Sequence, residues 1–172
     1  MLIEVLWHEL GYLSCDQGLF NVTAKGLMSL ESARNRESSI GFCAMWFDPN
    51  IRYYYDQVVD PTVRSCGYDP LRVDGTEHNG KIDDEIVASI RRSRFMIADF
   101  SGHRGGAYYE AGFAHGLGIP VIFTCRDADI QGLHFDIRQF NTITWNDADL
   151  PSACQRLKNR ILATLGQGPN AP

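Results

Sequence analysis

The residues with most chemical potential lie in one stretch, DFSGHRGGAYYEAGFAHGLGIPV at 99–121. Asp99 closes an apolar run, FMIAD, and a carboxylate at a strand end can accept from a ligand hydroxyl. Gly105 and Gly106 precede a helical pattern, where backbone N–H groups are free for an anion or a polar ligand. Glu110 falls about one turn into that helix, among Ala107, Ala111, Gly112 and Ala114. Two readings stand for it: it meets a ligand, or it complements the positive helix N-terminus. The small residues likewise either admit a ligand or let the helix lie close on a sheet. The loop has neither the Gly-Lys-Ser/Thr of a P-loop nor the GxGxxG spacing of a dinucleotide fingerprint.

Positioning those residues takes a regular scaffold, and from Ser39 onwards the pattern alternates strand with helix. Strands are expected at 41–47, 69–73, 95–99, 119–125 and 141–145. Helices are expected at 49–66, 82–93, 107–117 and 150–165, the first of them kinked or broken at Pro61. Ile82, Ile86 and Ile90 recur every four residues as a core stripe. The tail GQGPNAP is expected to fray. Near-continuous apolar strands and βα alternation imply a mostly parallel sheet covered on both faces. The expected fold is therefore α/β, a flavodoxin-like three-layer sandwich with strand order 2-1-3-4-5. Its ligand crevice lies outside the carboxyl ends of the strands, at the switch point between the first and third. Trp46-Phe47-Asp48-Pro49, Asp99–Gly106 and Cys125-Arg126-Asp127 should meet there.

Composition sets the wider bounds. The chain has 172 residues, 44% hydrophobic and 22% charged, as in a soluble globular protein with one main domain. A net charge of −5 argues against nucleic-acid binding by this chain alone. Thirteen of the 16 basic residues are Arg, whose fork suits carboxylates and phosphates. Five widely spaced cysteines with no CxxC read as reduced thiols in a cytoplasmic protein, and no metal-ligand spacing occurs among the histidines. No apolar run is long enough for a membrane span.

Residues 1–38 read as a separate appendage, followed by an α/β domain at 39–172. A short amphipathic helix ends near Gly11, a hairpin turns at Asp16-Gln17-Gly18, and Thr23 can N-cap a second helix. GYLSCDQGLFNVTAKGLMSLE resembles the wing and last helix of a winged helix-turn-helix domain. The alternative is a decoration that packs on the main domain or self-associates.

MIADFSGHRGGAYYEAGFAHGLGIPVI, preceded by GFCAMWFDP, resembles the nucleoside 2-deoxyribosyltransferase family and its N-glycosidase relatives. The residues that carry the likeness are Asp99, Gly105, Gly106, Glu110, Gly112, Ala114 and Pro120, within about 40–146. The resemblance implies a nucleoside or nucleotide substrate, no cofactor, and a homo-oligomer. It also implies that Glu110 attacks the anomeric carbon to form a glycosyl-enzyme. Asp99 would hold a sugar hydroxyl or help protonate the base, Phe47 would stack on the base, and Asp48 would bind the base edge or the sugar. Tyr109 or Tyr108 would hydrogen-bond the nucleophile, with Ser101 of the loop among the substrate-binding residues. Two departures stand out. His103-Arg104-Gly105-Gly106 replaces an expected Asp in the loop, so Arg104 would either meet a substrate phosphate or pair with a carboxylate such as Asp99. Trp46-Phe47-Asp48-Pro49 replaces a Gly-Pro after the first strand.

His134, Phe135, Asp136 and Arg138 precede the last strand and either close over the site or form a local ion pair beside a core Phe135. His103 and His115 flank Glu110 as weaker acid/base candidates, and His78 reads as a surface residue. Two other functions fit the same pattern: a TIR-like NAD glycohydrolase, and a non-catalytic nucleotide-sensing module attached to a DNA-binding regulator.

Overall fold

The computed structural model describes residues 2–27, 29–30, 37–73 and 82–171. The loop at 74–81, with His78, lies outside them. The chain divides into two compact units, Met1–Glu37 and Ser38–Pro172.

In the first unit, helix α1 (Leu2–Glu4) runs on into a wider π turn, Val5–Glu9. Strands β1 (Leu13–Asp16) and β2 (Leu19–Val22) form an antiparallel hairpin. Its two turn residues, Gln17 and Gly18, have φ of 48° and 82°. That is the left-handed pair a tight right-twisting hairpin needs. Residues 24–27 open helix α2. Thr23 caps it, its hydroxyl accepting from Gly26 N at 3.1 Å and donating to Gly11 O at 2.8 Å.

The second unit is α/β. Strands β3 (Ile40–Ala44), β4 (Asp69–Leu71), β5 (Phe95–Asp99), β6 (Val121–Arg126) and β7 (Ile143–Trp145) form one sheet in the order β4-β3-β5-β6-β7. Every pairing is parallel. This is the expected 2-1-3-4-5 order of a flavodoxin-like sandwich. Helices α3 (Pro49–Tyr54), α4 (Asp60–Ser65), α5 (Ile82–Arg91), α6 (Gly105–Gly116) and α7 (Leu150–Leu165) accompany it.

Alternation along buried β5 builds both cores. Phe95 and Ile97 face one layer with Tyr54, Val58, Leu157 and Ile161 of the α3, α4 and α7 region. Met96 and Ala98 face the other, with Ile90 of α5 and Ala107, Ala111 and Ala114 of α6. The alanines recur at i, i+4 and i+7, so α6 presents a flat stripe to the sheet. Gly41 is needed on β3 because a Cβ there would lie 2.5 Å from the Phe95 ring.

The helix expected over 49–66 keeps its path with an internal change of pitch. A π turn, Tyr55–Val59, joins α3 to α4, and Pro61 sits in the first turn of α4. Proline offers no N–H to the carbonyl four residues back. That carbonyl, of Gln57, lies 3.7 Å from the Cys154 thiol of α7, which donates to it.

The C-terminal tail is docked, contrary to the expected fraying. Gly168 N donates to Cys66 O at 2.8 Å, Asn170 N to Gly67 O at 3.0 Å, and Asn170 Nδ2 to Asp69 at 2.9 Å. Glycine at 168 permits this, since a Cβ would sit 2.1 Å from Gly67 O. All five cysteines are free thiols. Among the described residues no helix is long and apolar enough to cross a membrane.

Candidate active site

The segments that follow β3 and β5 meet at the switch point, where Trp46 lies against Gly102 and Arg104. Asp99 ends β5 and is 1% exposed. Its Oδ1 accepts from Ser101 N at 3.1 Å. Its Oδ2 accepts from Thr124 Oγ1 of β6 at 2.7 Å and from Trp145 Nε1 of β7 at 2.8 Å. A buried carboxylate persists only when donors replace water, and here all the donors are internal. Asp99 was expected to hold a sugar hydroxyl or help protonate the base; the partners the structure gives it are these internal donors. The residue ties three strand ends together. Ser101, expected among the substrate-binding residues, is buried, and its hydroxyl accepts from Arg126 N at 2.9 Å.

The loop after Phe100 is held in an unusual backbone. Gly102 and His103 have φ of 70° and 52°, and the left-handed region is costly for a residue with a Cβ. Packing from both sides compensates. A Cβ on Gly102 would lie 2.4 Å from the Trp46 ring, and a Cβ on Gly132 would lie 2.4 Å from His103 Nε2. Each glycine makes room for its neighbour's ring.

Trp46 is the residue sequence reasoning passed over in favour of its neighbours. It leaves the end of β3, fills the space beside Gly102, and carries the Arg104 guanidinium 4.1 Å from its ring centroid. Arg104 is exposed and stacked there rather than paired with Asp99. Phe47 is 43% exposed and lies 5.9 Å from the Arg72 guanidinium, which stacks more closely on Tyr55 at 4.5 Å. Asp48 is the N-cap of α3. Its Oδ1 accepts from Asn50 N and from Asn50 Nδ2, both at 2.8 Å, so one oxygen of the expected base- or sugar-binding carboxylate is committed to the helix start.

Gly105 and Gly106 open α6 and are exposed, at the positive helix end whose first N–H groups have no acceptor within the helix. Glu110 stands one turn further on. It is half-buried, and its Oε1 lies 4.0 Å from where a Cβ on Gly106 would be. Burial pushes its carboxyl up to about 7. The Cys43 thiol on β3 is also pushed up, by burial first and then by the negative charge of Asp99, with Glu110 contributing.

A cleft of about 530 Å³ lies beside the first turn of α6. Its walls include His103, Gly105, Tyr108, Gly132, His134 and Asp136. Glu110 is not among them, because positions 108 and 110 are roughly 200° apart around a helix of 3.6 residues per turn. His134 and Asp136 belong to this cleft, so they are brought to the loop but not to the carboxylate they were expected to cover. They pair with each other, Nδ1 to Oδ2, at 3.3 Å. Arg138 donates to the carbonyls of Leu133 and Gln131 instead, and Phe135 is 71% exposed rather than core. Tyr108 stacks on Phe100 with centroids 4.3 Å apart, and its hydroxyl accepts from His134 N at 3.5 Å. Tyr109, expected to hydrogen-bond Glu110, is 68% exposed. His115 is exposed beside Phe140, near the other end of α6.

Fold and site together define a doubly wound, flavodoxin-like α/β protein with a half-buried carboxyl group in the second turn of its switch-point helix. In comparisons with known proteins, no protein-family model and no curated protein matches this chain.

Proposed function

We propose that the protein cleaves or transfers at the N-glycosidic bond of a nucleoside or nucleotide, with Glu110 as nucleophile. The observation that carries this reading is the Glu110 carboxyl, half-buried one turn from the exposed Gly105 and Gly106 and pushed up to about 7 by burial. The ionised carboxylate attacks the anomeric carbon, the C–N bond breaks, and the base departs with the bonding pair and takes a proton from solvent. Water or a second base then displaces the glycosyl ester and frees Glu110. Arg104, held over Trp46 as a flat exposed cation, suits a phosphate-bearing substrate.

One observation favours a second reading, a module that binds nucleotides without turnover. Retaining glycoside chemistry uses two carboxyl groups, yet Asp99 is closed into the scaffold and Asp48 caps a helix. One experiment separates the two. The protein is incubated with a panel of nucleosides, 5′-nucleotides and NAD, and free base or nicotinamide is followed by chromatography. Base release that Glu110→Gln abolishes supports the first reading. Release of nicotinamide alone would indicate an NAD glycohydrolase. Saturable nucleotide binding with no release would establish the second reading and overturn the first.

A further inference from the structure

The first unit has a local skeleton without a core. Among its described residues no large apolar side chain is buried. Leu2, Ile3, Trp7 and Leu10 of the N-terminal helical segment, Phe20 and Val22 of β2, and Leu27 and Leu30 beyond it are 37–73% exposed. Taking roughly 150–250 Å² for a fully exposed large side chain, these eight present on the order of 800 Å² of apolar surface. The largest patch on a typical monomer is about 300–600 Å². A specific interface takes about 800 Å² from each partner.

The apolar residues also have a common direction on the hairpin. Register places Leu13 opposite Val22 and Cys15 opposite Phe20, so these four share one face. Trp7 packs edge-on against Phe20 with centroids 5.5 Å apart. The opposite face carries Ser14, Asp16 and Asn21, with Leu19. A two-stranded hairpin is marginal alone, and a unit below about 40 residues needs a staple or a partner. Its one cysteine, Cys15, is a free thiol.

We infer that the first unit is a homodimerisation element, and that a second copy of this chain covers its apolar face. Charge chooses this occupant. Residues 1–37 carry a net −2, which disfavours nucleic acid and anionic lipid alike. A like unit offers the same apolar area across a two-fold axis, and the outer edges of β1 and β2, which pair with no further strand among the described residues, can extend the hairpin into a four-stranded sheet.

The test uses the full chain in analytical ultracentrifugation from 1 to 100 μM. Amide hydrogen exchange is read over 13–27 at both ends of that range. The expected result is a dimer whose dissociation exposes 13–27, with Phe20→Glu and Leu27→Glu each weakening association at least tenfold while the far-UV spectrum is kept. The wild-type measurement stands even if a variant misfolds. A monomeric wild type over the whole range overturns the inference. So does a dimer whose association neither variant changes, which would place the interface elsewhere. Exchange over 13–27 that is slow at both concentrations in a monomer would mean the face is covered within one chain. Binding to DNA or lipid vesicles that both variants abolish, without dimerisation, would assign the face to that partner.

Discussion

The indole N–H of Trp145, on the last strand of the sheet, donates to Oδ2 of Asp99 at the end of the central strand, 2.8 Å away. The same oxygen accepts from Thr124 on the strand between them. Three strand ends thus meet on one carboxylate, directly beneath the loop that leads to Glu110. Stacked against Trp145, at 4.2 Å between centroids, is Tyr54. Its hydroxyl is buried, and burial pushes it well above its ordinary range.

Trp145→Phe keeps the stack and removes one donor from a buried carboxylate. The expected loss is about 1–3 kcal/mol of unfolding free energy, the usual cost of stranding a buried polar group. Urea denaturation measures it. Under the proposed chemistry, base release should survive at temperatures where the variant is folded, because Trp145 acts only through its bond to Asp99 within the scaffold.

Glu110 makes a pH-dependent contribution whose sign is determined by its raised value. Folding moves its carboxyl from 4.5 to about 7. Between those values the native state holds more proton than the unfolded chain. Stability is therefore lost as pH rises through that window and stays reduced above it. Glu110→Gln lacks this penalty. The variant should gain on wild type by about 1–3 kcal/mol between pH 4.5 and 8, read from urea unfolding at both ends. A difference that does not change with pH would refute the burial effect.

Under the proposed chemistry the same ionisation shapes the rate. Only the carboxylate attacks, so the logarithm of the rate should climb with unit slope below about pH 7 and level off above it. A pH–rate profile of base release checks this, and a rate that falls across pH 6–8 would assign Glu110 an acid's role instead.

Gly102→Ala meets two obstacles at once, a φ of 70° and a Cβ 2.4 Å from the Trp46 ring. A loss of about 1–3 kcal/mol is expected. Combining it with Trp46→Ala should give less than the sum of the two single losses, since the second change removes the clash and leaves only the backbone strain. A thermal double-mutant cycle reads the coupling.

Gly168→Ala would drive a methyl group into the Gly67 carbonyl, 2.1 Å from the new Cβ. The tail should release from Cys66–Asp69, with a cost of about 1–2 kcal/mol. Limited proteolysis should then remove the last few residues faster than in wild type, while β5 and α7 remain protected.

Strand β5 and helix α7 are legible to the residue because burial on both faces and a full amphipathic period leave no competing register. Helix α6 begins two residues before its expected start, because Gly105 and Gly106 adopt helical geometry once the left-handed turn at Gly102-His103 has set the direction. Strand β3 ends three residues early, because Trp46 leaves the sheet to pack on Gly102. That is a contact with a residue 56 positions away, which no local pattern carries. The docked tail was hidden for the same reason, since its signal is a missing Cβ on Gly168 that matters only beside Gly67.

By itself the sequence determined the alternation, the strand order and the crevice, because apolar period and right-handed crossovers restrict a βα chain to few topologies. It also singled out Glu110. Only the tertiary structure decided which carboxylates are available there. Burial depends on what packs above a residue, and so Asp99 became a scaffold knot, Asp48 a helix cap, and His134 with Asp136 the wall of a different cleft. Glu110 is left half-buried one turn from Gly105 and Gly106, and burial raises its carboxyl to about 7; that environment, which the sequence does not carry, is what the proposed chemistry rests on.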